Sequence, residues 1–281
     1  MDTIAVTGCT GRIGSRVAAE LDERGIETRL LLRDPTKAAR FPARRTAVAA
    51  YRDPDAARHA LEGIELLFMV SAAESADRLE EHRTFIDAAA AVGVQHVVYT
   101  SFLGASPTAT FTLARGHAAT EEHLRASGMD WTFLRDSLYL DLLPEFAGAD
   151  GVIRGPAGAG RVGAVLRADV ARCAVAILAD TVTGTRSHAG ASYDLTGLEA
   201  LTLTEIARIV TEETGHQITF HDETVDEAYA SRATYGAEQW QLDAWVSTYT
   251  AIKAGELDVV TSAVADVTGT PARSLREHLR S

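Results

Sequence analysis

Ile4-Ala5-Val6-Thr7-Gly8-Cys9-Thr10-Gly11-Arg12-Ile13-Gly14 decides the fold of this chain. Three apolar residues run straight into glycines placed at every third position, and a helical pattern from Arg12 to Arg24 follows. Glycines at that spacing let a backbone turn tightly and come close to a bound group, and the last one lets the helix lie against the strand. The free N–H groups and partial positive charge of a helix start attract a pyrophosphate. Gly8, Thr10, Gly11, Arg12, Ile13 and Gly14 are the candidate residues for that contact. A tight turn without a ligand is the plain alternative.

The rhythm set by this stretch repeats outward. Apolar runs at Thr28–Leu32, Thr46–Ala50, Leu66–Val70, Val97–Thr100 and Trp131–Leu134 alternate with helical patterns, among them Ser75–Val92 and Leu113–Ser127. The runs are mostly continuous, which suits strands covered on both faces. Alternation of strand and helix requires right-handed crossovers and a parallel sheet. Gly25, Gly93 and Gly128 stand where helix ends need left-handed caps. The expected fold is α/β, a doubly wound parallel sheet of the Rossmann type with a smaller, mainly helical C-terminal substrate-binding portion. The rhythm changes near Asp150, dividing the chain into 1–150, the dinucleotide-binding part, and 151–281, with later segments free to return to the first part. The six-glycine stretch Gly148–Gly163 reads as loop or hairpin, Asp169 as the N-cap of an apolar helix, and Thr202–Glu205 as a capping box closed by Gly215.

The chain has 281 residues and a formal charge of −12. An acidic protein repels phosphate backbones, so nucleic acid is not the expected partner. Cys9 and Cys173 cannot make a disulfide framework, which fits a reducing compartment. After Met1-Asp2-Thr3 there is no basic leader or small-residue cleavage site, so the expected location is the cytoplasm. No apolar run is long enough for a membrane span. Nine histidines form no tight ligand pattern, so no metal is expected. There is no Gly-x-Ser-x-Gly elbow of a hydrolase. Nothing in the sequence speaks to oligomeric state.

Cofactor choice is read at the end of the second strand, where an acid would serve a ribose 2′-hydroxyl. Here Arg33 holds that place with Lys37 nearby and Arg12 placed to join them, a basic group that suits the 2′-phosphate of NADPH (NADP+). Asp34 offers the opposite choice, serving the hydroxyl with Arg33 turned away.

Taken in order, Thr7–Gly14, Leu32–Lys37, Val98-Tyr99-Thr100-Ser101, the helix His117–Ser127, Phe133-Leu134-Arg135, Gly155–Arg161, Arg167–Val170 and Gly269–Leu275 resemble the NmrA-like, atypical short-chain dehydrogenase/reductase family. They look most like its bacterial NAD(P)H:quinone oxidoreductase and triphenylmethane-dye reductase branch. The resemblance covers nearly the whole chain. It implies that Tyr51 and Asp53 lie by the adenine, although Ala50 replaces an acid common in that segment. It also implies that Ser71 and Ala72 border the ribose and nicotinamide side, and that Tyr99 to Phe102 end a strand beside the nicotinamide.

The Tyr–Lys pair of the wider superfamily, in which Lys lowers the Tyr pKa, is missing. Tyr99 is followed at the fourth place by Leu103. Two chemistries remain. A quinone or extended dye delocalises the charge formed on hydride transfer and needs only stacking geometry. Alternatively His117 is the acid, oriented or kept charged by Glu121 one turn on. Ser101 and Tyr139 are further candidates to bond a substrate oxygen, with a strand-end cap and a core aromatic as their plain readings. Cys9 lies at a helix start that would lower its pKa, or is simply small enough for the turn. Trp240, Trp245 and Tyr249 could stack on a flat aromatic ligand, or pack a core. The expected function is an NADPH-dependent reductase of a quinone-like or polycyclic aromatic substrate, including tailoring of aromatic natural products. The competing readings are an aromatic-polyketide ketoreductase using His117 and an NADP(H)-binding redox sensor without catalysis.

Overall fold

A computed structural model describes residues 4–41 and 45–280. Met1-Asp2-Thr3 lies outside the described residues. The first half runs β1 (Ile4–Val6), α1 (Arg12–Glu23), β2 (Thr28–Leu32), β3 (Arg45–Val48), α2 (Pro54–Leu61), β4 (Leu66–Met69), α3 (Arg78–Ala91), β5 (His96–Phe102), α4 (Thr112–Ala126) and β6 (Asp130–Asp136). The remainder runs β7 (Val152–Gly155), β8 (Arg161–Val162), α5 (Arg167–Thr183), β9 (Ala191–Leu195), β10 (Leu201–Thr202), α6 (Leu203–Thr214), β11 (Thr219–Asp222), α7 (Val225–Ala233), α8 (Gln239–Lys253), α9 (Ala263–Thr268) and α10 (Leu275–Leu279).

Seven strands form one sheet in the order β3-β2-β1-β4-β5-β6-β9. β1 pairs in parallel with both β2 and β4, β2 with β3, and β4 with β5. Strand order therefore reverses direction between β1 and β4, the crevice where open α/β sheets bind ligands. The hydrophobic pattern explains the order. Every residue of β4 and of β5 is buried, whereas β3 at the sheet edge is part exposed. Gly25, Gly93 and Gly128 all adopt positive φ, as helix-closing positions require.

The chain divides into two compact units. The first contains residues up to Ser101, Gly116–Arg135 and Val170–Tyr193; the second contains Phe102–Arg115, Asp136–Asp169 and Asp194 onward. The division interleaves along the chain: Val170–Tyr193 returns to the first unit, and Phe102–Arg115 belongs to the second. The first unit's core gathers Leu61, Leu67, Phe85, Tyr99 and Phe133, all fully buried. Each such side chain contributes about 2 kcal/mol of transfer free energy.

The second unit has its own core around Leu166, Ile206, Tyr249 and Ile252. Its glycine-rich segment is not a hairpin: β7 pairs in parallel with β11, and β8 pairs antiparallel with β10. Partners far along the chain win because β11 and β10 bring their own ladders. At Gly155 any Cβ would lie 2.3 Å from the Tyr249 ring, so the glycine admits the aromatic. α6 has the expected capping box, Thr202 with Glu205, and ends at left-handed Gly215. Asp169 does not cap its helix. α5 starts two residues earlier, and the Asp169 carboxylate instead accepts the Arg273 N–H at 2.9 Å.

Candidate active site

The glycine loop has the geometry its chemistry needs. Gly8 takes φ +62°, a conformation that disfavours any side chain. At Gly14 a Cβ would sit 2.4 Å from the Gly8 carbonyl oxygen, so only glycine lets α1 lie this close to the end of β1. Gly11 is the N-cap of α1 and has no side chain to satisfy the first-turn amides. These amides stand ready for an anion. Ile13 and Gly14 are buried, while Gly8, Gly11 and Arg12 are exposed and Thr10 is half-buried.

Cys9 points the other way. Its thiol donates to the Leu31 carbonyl at 3.4 Å and is buried. Burial pushes the thiol pKa up, against the lowering expected of a helix start.

The end of β2 separates the two charged candidates. The Asp34 carboxylate accepts from both the Thr36 amide (3.0 Å) and the Thr36 hydroxyl (2.6 Å), capping a short 3-10 turn at Pro35–Arg40. Those bonds hold its pKa below the usual carboxylate value. Arg33 and Lys37 are exposed. A pyrophosphate cradle with an exposed guanidinium beyond the second strand suits a dinucleotide with a 2′-phosphate. Gly8, Gly11, Arg12 and the α1 amides would hold the one, Arg33 and Lys37 the other.

The loops at the carboxyl ends of β4 and β5 are tied together. The Tyr51 hydroxyl donates to the Val70 carbonyl at 2.6 Å and lies 2.7 Å from the Thr7 hydroxyl, while its ring stacks on Phe85. Its phenol pKa is raised by burial. The Ser71 amide donates to Thr100 Oγ1 (2.8 Å) and the Ala72 amide to His82 Nε2 (2.9 Å). Sequence reasoning missed His82 altogether, since nothing linear links mid-α3 to a loop ten residues back.

Tyr99 is fully buried, with its hydroxyl 2.9 Å from His117 Nδ1, so its ring faces the core. His117 is also buried. Burial, with Arg78 and His82 nearby, holds its pKa well below the usual imidazole value. Glu121 does not keep it charged. That carboxylate accepts from Arg135 (2.6 and 2.8 Å), Arg125 (3.0 Å) and the Ser101 hydroxyl (2.7 Å). Ser101 is thus committed to Glu121.

In the second unit, Phe102 packs on Phe111, with ring centroids 4.8 Å apart. The Tyr139 hydroxyl donates to Asp136 Oδ2 at 3.0 Å. Asp136 is buried, and burial raises its carboxyl pKa well above the usual value. A cavity of about 400 Å³ is lined by Phe146, Arg154, Arg232, Tyr235, Trp245 and Tyr249, among others. Both cations in it are paired, Arg154 with Asp150 and Arg232 with Glu223. Trp240 is not among its lining residues and donates to Glu238. No cluster of metal-ligating side chains occurs among the described residues. No helix there is long and apolar enough to cross a membrane.

Residues 8–181 match a family described as NAD(P)H-binding. The chain is 32% identical over 281 residues to quinone oxidoreductase 2 of Escherichia coli strain K12, covering 98% of this chain and 96% of that protein. The solved NADPH complex of that enzyme type from Escherichia coli matches with TM-score 0.88 at 31% identity, over 99% and 98% of the two chains. NAD(P)H azoreductase of Xenophilus azovorans is 30% identical, over 99% and 97%. The triphenylmethane reductase of Citrobacter sp. in complex with NADP(H) gives TM-score 0.86 at 25% identity, over 99% of each chain. Glycine loop, sheet order and whole-length similarity agree, and the chain belongs to the NAD(P)H-binding, NmrA-like family of oxidoreductases.

Proposed function

We propose that this protein is an NADPH-dependent reductase that delivers hydride to a quinone-like or polycyclic aromatic acceptor. The observation that carries the cofactor choice is Asp34 spent on Thr36 while Arg33 stands exposed at the end of β2. The solved relatives hold NADPH and NADP(H), and the curated relatives are named for quinone and azo reduction.

The bound dinucleotide, when present, supplies the hydride. The protein's own residues do the rest. The Gly8–Gly14 loop and the α1 amides bind pyrophosphate, Arg33 and Lys37 bind the 2′-phosphate, and the segment after β4 flanks the reactive half. No side-chain acid is required of His117, since it is buried and neutral. An acceptor that spreads the incoming charge over a conjugated ring does without one. The aromatic cavity of the second unit, with its arginines already neutralised, favours a flat and uncharged ring system. A reducing cytoplasmic setting belongs to the same reading, since Cys9 and Cys173 are both buried thiols.

NADPH oxidation against a panel of quinones, dyes and ketones tests this. Turnover is expected with quinones or dyes. The variant Arg33→Ala should weaken NADPH binding by about tenfold or more, as befits a charge-assisted bond, and leave NADH nearly unchanged. Tight NADPH binding without turnover on any acceptor would sink the enzyme reading. Equal losses for the two cofactors would sink the 2′-phosphate assignment.

A further inference from the structure

Three consecutive amides leave β4, and each donates to a side chain from a different element. Val70 N–H donates to Thr7 Oγ1 at 2.8 Å, Ser71 N–H to Thr100 Oγ1 at 2.8 Å, and Ala72 N–H to His82 Nε2 at 2.9 Å. His82 is 1% exposed. Its other nitrogen, Nδ1, lies 3.0 Å from Thr120 Oγ1, which itself donates to the Gly116 carbonyl at 2.9 Å.

These contacts fix the tautomer. An amide N–H only donates, so Nε2 must present its lone pair. The Thr120 hydroxyl has spent its one proton on Gly116, so it must accept from Nδ1–H. Only the neutral Nδ1–H imidazole satisfies both ends. Burial, with Arg78 nearby, holds that neutral form by lowering the pKa to about 3.

With its three amides turned to protein acceptors, the segment keeps carbonyl oxygens and hydroxyls for a ligand. The Ser71 hydroxyl and the Ser71 and Ala72 carbonyls are half-exposed residues' groups, and Ser75 Oγ is buried with no partner among the described residues. Such groups accept from ribose hydroxyls and carboxamide NH2 groups. They offer no amide donors for phosphate oxygens.

We propose that His82 is a positioning residue for the cofactor, latching the Ser71–Ala72 backbone so that this segment serves the hydroxyl- and amide-bearing nicotinamide riboside half of the dinucleotide. The proposal rests on the NADPH reading above. It assigns His82 a role through Ala72, without contact to the reacting atoms.

Calorimetric titration of wild type, His82→Leu and His82→Gln with NADPH and with 2′,5′-ADP, which lacks the nicotinamide riboside, tests it. His82→Leu should weaken NADPH about tenfold, as loss of one buried bond implies, and 2′,5′-ADP less than about twofold. His82→Gln, whose amide oxygen can accept from Ala72, should recover most of the NADPH affinity. Equal losses for both ligands, or none for NADPH, would overturn the latch. Long-range 1H–15N NMR of the ligand-free wild type is the check if His82→Leu does not fold. The expected signature is protonated Nδ1 and bare Nε2 at neutral pH; the opposite tautomer overturns the proposal. Wild type that binds neither ligand defeats the NADPH reading, and the latch with it, even where the tautomer is as expected.

Discussion

Glu121 stands one helical turn beyond His117, the spacing at which a carboxylate holds an imidazolium. The fold spends it elsewhere, on Arg135, Arg125 and Ser101. His117 is left buried against Tyr99 and neutral. A general acid is worth roughly 10²–10⁴ in rate, so the two roles are well separated. His117→Gln should keep kcat with a quinone within about threefold while lowering the melting temperature. A drop of about a hundredfold at unchanged Kd for NADPH would restore the acid role. The sequence made His117 a candidate by residue type and place alone. Burial, which decides its charge, comes from strands and helices far along the chain.

At the scale of elements, spacing carried more. Trp245 and Tyr249 are four apart on α8, so they share a face, and both line the second unit's cavity. Trp240 is five before Trp245, which turns it off that face by about 140° at a helix's 100° per residue. If the cavity takes the aromatic acceptor, Trp245→Ala should raise KM for a polycyclic quinone several-fold, a stacking contact being worth about 1 kcal/mol, and leave NADPH binding unchanged. An unchanged KM would remove the cavity from the substrate path. The strand runs, the glycine loop, the three helix-closing glycines and the capping box of α6 were legible because each follows from local geometry. β7 and β8 were not, because their partners are β11 and β10, and pairing between distant segments leaves no local signature. His82 was invisible for the same reason.

For the whole molecule, buried titratable groups set the response to acid. His82, His96 and His117 all have pKa values lowered from 6.5 by burial. The unfolded chain therefore binds protons that the folded chain refuses. Their contribution is full above pH ~6.5 and is lost as pH falls toward the folded values. Asp136 works the other way: its raised pKa favours the fold at low pH and costs stability as pH rises. Three histidines outweigh one carboxyl, so the unfolding free energy should drop between pH 7 and pH 4.5, by on the order of 1 kcal/mol per pH unit for each fully shifted histidine, and the urea midpoint should fall with it. Asp136→Asn, which removes the opposing group, should make the fall steeper. A flat profile in both proteins would contradict the buried-histidine picture.

The thiol of Cys9 gains meaning from the chemistry proposed. Quinones are electrophiles that alkylate thiolates, and a cysteine in the loop proposed to hold the cofactor would be an obvious casualty. Here Cys9 is 1% exposed, its thiol donates a hydrogen bond to the Leu31 carbonyl, and burial raises its pKa and so favours the thiol over the thiolate. On the proposed chemistry, this burial keeps the thiol of the glycine loop out of reach of electrophilic acceptors.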